Sequence, residues 1–123
     1  MQPQNNKNNM TLRSRARSFG YAINGLVKLV TQEANMRIHM LAAIVAVIAG
    51  AVVGLTATKW IALVFAISLV WMAEAFNTAI ENLCDLVCNN EYHPVIKTIK
   101  DISAAAVLIA AAASVIIALF IFL

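Results

Sequence analysis

Between Ile38 and Ala73 the chain carries a single charged residue, Lys59, and after Asp101 it carries none. Residues 38–55 form an apolar run broken only by His39 near its start. A second run opens at Trp60 and continues as a helical pattern to about residue 87, and a third, rich in alanine, fills residues 102–123. Each is compatible with the roughly 20 residues that a helix needs to cross a bilayer. Only 12% of the 123 residues are charged, well below the roughly 25% of soluble domains. In water such a chain would aggregate, so the expected fold is an all-α membrane protein with three transmembrane helices at about 38–55, 60–87 and 102–123.

Two further segments precede the spans. Residues 1–12 are rich in Asn and Gln, a composition that predicts a disordered tail ahead of a single domain over 13–123. From about residue 14 to 33, apolar side chains recur at Ala16, Phe19, Ile23, Leu26, Val27 and Val30, a spacing that follows one face of a helix. Arg15, Arg17, Asn24, Lys28 and Gln32 lie between them, so the segment reads as an amphipathic helix in the membrane interface, too polar to span.

The basic residues set the orientation. Arg13, Arg15, Arg17, Lys28 and Arg37 precede the first span, Lys97 and Lys100 lie between the second and third, and only Lys59 lies between the first and second. By the positive-inside rule the N-terminus and the second loop are cytoplasmic and the C-terminus is outside, in a multi-pass protein of the cell's inner membrane. This placement accounts for the net charge of +3 without a nucleic-acid partner. "GLTATK" reads as a tight outer turn and "NNEYHPVIKTIKD" as a longer inner one, with Pro94 keeping it locally non-helical. "GAVVG" (50–54) matches the small-xxx-small pattern of helix contacts. Cys84 and Cys88 have no second pair to complete a metal site and read as small, moderately apolar residues.

Against this background the stretch "WMAEAFNTAIENLCDL" (71–86) stands out. A charge at the bilayer centre costs about 2.5–3.5 kcal/mol on insertion scales and by default marks function. If the second span enters at Trp60, Glu74 lies about 21 Å down a slab roughly 30 Å thick, and Glu81 about 10 Å lower, at the inner interface. One helical face then carries Glu74, Asn77, Thr78, Glu81 and Asp85. Glu33, ending the amphipathic helix, and Asp101, starting the third span beside Lys100, reach the same layer. Carboxylates at that depth suit a magnesium ion bound with phosphates, since magnesium takes a few oxygen ligands and completes its shell with water and substrate. Glu74 is placed as a general base for a hydroxyl at headgroup depth. A nucleotide from the cytosol and a lipid alcohol from the bilayer could meet here, and phosphoryl transfer needs mainly positioning and charge neutralisation. No Walker or kinase glycine loop is present. Two other classes remain open on the residues alone: a small proton-coupled exporter with Glu74 as its carrier group, and a non-catalytic membrane subunit.

The same residues carry a family resemblance. "EAFNTAIENLCDL", "EYHPVIKTIKDISAAAVL" and "RSFGYAINGL…EANMRIH" resemble the small prokaryotic membrane lipid kinases, the diacylglycerol kinase and undecaprenol kinase family, over about residues 17–115. The resemblance implies an ATP- and magnesium-dependent lipid kinase. It implies Glu74 as catalytic base, Asn77 orienting the reacting groups, and Glu33 and Glu81 holding the magnesium of the nucleotide. It further implies that Tyr21, Glu91, Tyr92, His93, Lys100 and Asp101 contact the nucleotide, and that a homotrimer shares its sites between protomers. The family's N-terminal arginine aligns nearest Ser14, between Arg13 and Arg15, which leaves the identity of a nucleotide-binding arginine open. "NTAIENLCDLV", Pro94 and "EANMRIH" look more like the undecaprenol kinases, while "EYH" is closer to the diacylglycerol kinases. Undecaprenol is the favoured acceptor and diacylglycerol the alternative.

Overall fold

The computed structural model describes residues 11–123, so the expected tail lies outside it for residues 1–10. Four helices follow in order: α1 (Leu12–Gln32), α2 (Ala34–Val53), α3 (Ala57–Val87) and α4 (Pro94–Phe122), with no strand among the described residues. Three of them, α2, α3 and α4, are long and apolar enough to cross a membrane.

Local chemistry sets the helix boundaries. Thr11, within the segment expected to be tail, caps α1 by accepting a hydrogen bond from the Ser14 backbone N–H. A single extended residue, Glu33, separates α1 from α2, and Arg37 Nη1 reaches back 3.4 Å to the Thr31 carbonyl across this bend. α1 buries little more than Leu29 and leaves Phe19, Ile23, Leu26 and Val27 exposed, as an interfacial helix should when its apolar face meets lipid.

The GAVVG segment divides into two roles. Gly50 is buried, and a Cβ there would stand 2.8 Å from Leu55 Cδ1 and 2.9 Å from the Trp60 ring. Gly54 instead ends α2 with φ 76° and ψ 63°, the left-handed geometry that favours glycine, and is no helix contact. Gly50→Ala is therefore expected to destabilise the α2–α3 turn by about 1–3 kcal/mol, the usual effect of overpacking. Thermal denaturation in detergent would measure it, and an unchanged midpoint would contradict the close packing.

The third span begins earlier than its apolar run. Pro94 does not keep the inner segment non-helical; it opens α4 with His93 as N-cap, His93 Nδ1 accepting from the Val95 N–H at 3.2 Å. Proline is well suited to this first position, because its missing N–H is not needed there and its φ is already helical. Asp101 consequently lies two turns inside α4 rather than at its start, and pairs with Lys97 at 2.6 Å on an exposed face. The connection from α3 turns through Asn89 and Asn90, both at positive φ, a conformation that asparagine tolerates.

α3 and α4 form the main packed pair, an antiparallel hairpin. Leu63, Ala66, Val70, Glu74, Asn77 and Cys84 make the buried stripe of α3, at intervals that follow one helical face. Two hydrogen bonds hold its register: Ser114 Oγ donates to the Ala66 carbonyl at 3.0 Å, and Ser103 Oγ donates to Asn77 Oδ1 at 2.7 Å. The bonds are separated by equal numbers of residues on the two helices, as an antiparallel pair in one register requires. At 1.5 Å per residue α3 is about 46 Å long and α4 about 43 Å, against a hydrocarbon slab of roughly 30 Å. Since the short α2–α3 turn sits at one end, the excess length emerges at the other, where the polar residues gather.

Candidate active site

The buried stripe of α3 changes character along its length: apolar from Leu63 to Val70, then polar at Glu74 and Asn77. Glu74 is 2% exposed. Its carboxylate Oε1 lies 3.1 Å from His39 Nε2, brought in from α2. This contact joins residues far apart in sequence, and the sequence alone does not reveal it. The only hint was a titratable side chain in an otherwise apolar run.

One turn further on, Asn77 is held from both sides. Its Oδ1 accepts from the Ser103 hydroxyl, and its Nδ2 donates to Glu81 Oε1 at 3.3 Å. The directions are mutually consistent: an ionised carboxylate only accepts, so the amide N–H must face Glu81 and the hydroxyl must donate to the amide oxygen. Ser103, buried in the alanine-rich face of α4, was not singled out in the sequence, because one small residue among many carries no distinctive signal. Ser103→Ala strands Asn77 Oδ1, and leaving a buried acceptor unsatisfied costs about 1–3 kcal/mol. Chemical denaturation in detergent should show that loss, and unchanged stability would contradict the structural role of the bond.

Below this lies the expected nucleotide side. Lys100 Nζ from α4 meets Asp85 Oδ1 from α3 at 2.7 Å. Together with Glu91, Tyr92, His93 and Lys97 they line an open cavity of about 370 Å³ beside the α3–α4 turn. Four of the residues expected to contact a nucleotide (Glu91, Tyr92, His93 and Lys100) therefore converge. Asp101 stands off this lining and pairs with Lys97. Tyr21 is exposed on α1. Glu33 occupies the α1–α2 bend, half-buried, with no capping bond from its side chain. Among the described residues no group of three or more His, Cys, Asp or Glu gathers as a metal site.

A second, larger cavity of about 610 Å³ lies between α1 and α3. It is lined mostly by apolar groups, including Ala22, Leu26, Leu29, Ala75 and Ala79, with Lys28, Gln32 and Asn82 also contributing. Thr78 Oγ1, also on this lining, is buried and has no hydrogen-bond partner among the described residues. The structure thus offers an apolar groove and a separate charged cavity, a division that suits two substrates of opposite polarity, while Glu74 is buried on α3 outside both linings.

Comparison with known proteins places the chain in a family. The profile of the family described as prokaryotic diacylglycerol kinase matches residues 20–122. An undecaprenol kinase from Bacillus subtilis (strain 168) is 36% identical over 107 residues, covering 87% of this chain and 86% of that protein. A diacylglycerol kinase from Synechocystis is 36% identical over 100 residues, covering 81% of this chain and 57% of its own length. A diacylglycerol kinase from Escherichia coli (strain K12) is 34% identical over 100 residues, covering 81% of each chain. With three spanning helices and a match over nearly its whole described length, this multi-pass membrane protein belongs to the prokaryotic diacylglycerol kinase family.

Proposed function

We propose that this chain transfers the γ-phosphate of ATP to the hydroxyl of a polyprenol, undecaprenol in the first instance, at the cytoplasmic face of the inner membrane. The chain is a lipid kinase, and the proposal concerns its acceptor, its residues and its assembly. The observation that carries the polyprenol assignment is the relative named undecaprenol kinase, which aligns along most of both chains. The groove between α1 and α3 supports it: the lining is largely hydrocarbon, and a polyprenol brings little polarity beyond its hydroxyl. One observation favours diacylglycerol as a second reading. Thr78 Oγ1 is buried and, among the described residues, unpartnered on that groove, and an ester carbonyl would satisfy it where a polyprenol has no acceptor to offer beyond its reacting hydroxyl.

In the proposed reaction Glu74 accepts the proton of the lipid hydroxyl. The freed oxygen attacks the γ-phosphorus, the bond to the β-phosphate oxygen breaks, and ADP leaves. Asn77, fixed by Ser103, orients the reacting groups. Glu91, Tyr92, His93 and Lys100 bind the nucleotide in the cavity they line, with Asp101 contributing from beside it and Tyr21 from a neighbouring copy. Glu33 and Glu81 would hold the magnesium that accompanies ATP. Their carboxylates are the oxygen donors a hard cation prefers, and the ion would supply charge neutralisation for the phosphates. Glu81 has one oxygen engaged by Asn77 and, among the described residues, no partner for the other, which fits that role.

A homotrimer completes the arrangement. Most residues of every span are left unburied within one chain, and Tyr21 and Glu33 lie away from the nucleotide cavity's lining. Both observations favour sites assembled between neighbouring copies. The orientation follows from the basic residues at the α1 and α4 starts. Offering undecaprenol and a diacylglycerol in competition to the purified protein in mixed micelles tests the acceptor. Preferential formation of undecaprenyl phosphate is expected, and preferential formation of phosphatidic acid would transfer the assignment to diacylglycerol.

A further inference from the structure

We infer that His39 is a positioning residue for the phosphoryl transfer, orienting Glu74 through a hydrogen bond from its Nε2–H. The inference rests on the reading of Glu74 as the base. Among the described residues His39 is the sole hydrogen-bond partner of the Glu74 side chain, and this bond alone joins the side chains of α2 and α3. The geometry is that of a deliberate pairing: 3.1 Å between Nε2 and Oε1, with the carboxylate side chain 3% exposed and the imidazole 24%.

The surroundings make the bond directional. His39 lines a mostly apolar cavity with Ala43, Ala66, Val70 and Trp71, to which Ser114 also contributes. Away from water a hydrogen bond is electrostatically stronger and less easily exchanged. Tying Oε1 to the imidazole limits rotation of the carboxylate and leaves Oε2 as the oxygen that takes the lipid proton. Placement of this kind matters in proportion to its precision, since a misplacement of about 1 Å can cost about 100-fold in rate. A simple tether between α2 and α3 would have a different consequence: its loss would lower stability, and the molecules still folded would turn over normally.

Three variants separate these roles. In glutamine the side-chain amide N–H falls at about the reach of the imidazole Nε2, in asparagine it stops one bond short, and leucine removes the donor. His39→Asn and His39→Leu should lower kcat by about 10- to 100-fold at saturating lipid and ATP, with KM for both substrates little changed. His39→Gln should recover most of the rate, whatever its effect on thermal stability. Glu74→Gln, assayed alongside, keeps the two readings apart. If it retains the wild-type rate, the base assignment itself fails. If it is inactive while folded His39→Asn or His39→Leu keeps the wild-type kcat, the base stands and the positioning role is overturned. His39→Asn, which keeps a polar side chain, provides the test should the leucine variant fail to fold.

Discussion

Glu74→Gln is expected to lower kcat by about 100- to 10,000-fold, the range supplied by a positioned general base, while leaving the protein folded. The substitution is nearly isosteric and keeps an oxygen to accept from His39, so the α2–α3 contact of 3.1 Å survives. What it removes is the capacity to accept a proton from an alcohol. Burial sharpens the expectation. The residue is 2% exposed, on a helix that crosses the membrane, so a water molecule is poorly placed to act in its stead. Steady-state rates with lipid in mixed micelles, alongside the elution volume of the purified variant, would measure both parts. A near-normal rate would remove Glu74 from the chemistry.

The second large effect concerns Glu81. Its Oε1 accepts from Asn77 Nδ2, and a glutamine at this position can present the same acceptor, so Glu81→Gln takes away charge more than structure. The proposed magnesium role predicts that half-maximal activity then requires at least about tenfold more magnesium, on the scale by which altered metal surroundings change affinity. Asn77 and Ser103 should be undisturbed, so stability should change little. A magnesium titration at fixed ATP decides the matter: superimposable curves for variant and wild type would exclude Glu81 as a ligand.

The parts of this site that were legible in the sequence are those written along one helix. Glu74, Asn77, Glu81 and Asp85 share a face because α3 runs unbroken through them, and residue counting along one helix is enough to set them on it. The parts that were not legible depend on contacts between helices. His39 looks like an isolated polar residue until α2 is laid against α3. Ser103 is one small residue among alanines until the antiparallel register of α3 and α4 sets it against Asn77. Pro94 misled for a different reason: proline breaks a helix interior but begins a helix well, and the choice between these depends on the cap that His93 supplies. Once α4 starts at Pro94, Lys97, Lys100 and Asp101 acquire fixed helical positions. Lys100 then turns to Asp85 while Asp101 is occupied with Lys97. Asp101 was expected at a helix start and stands instead on an exposed flank.

The division between an apolar groove on the α1 side and a charged cavity at the α3–α4 turn gives the account its logic. A hydrocarbon-bearing alcohol and a phosphate-bearing nucleotide prefer different environments, and α3 contributes residues to both linings. Exposed apolar side chains over all three spans, such as Ile44, Phe65 and Leu108, leave ample surface for lipid and for other copies of the chain.

The most direct measurement of the central claim is transfer of labelled γ-phosphate from ATP to undecaprenol by the purified protein in lipid micelles with magnesium. Labelled undecaprenyl phosphate, formed by wild type and nearly absent with Glu74→Gln, is the predicted result. Folded wild-type protein that transfers no phosphate to undecaprenol or to diacylglycerol would contradict it.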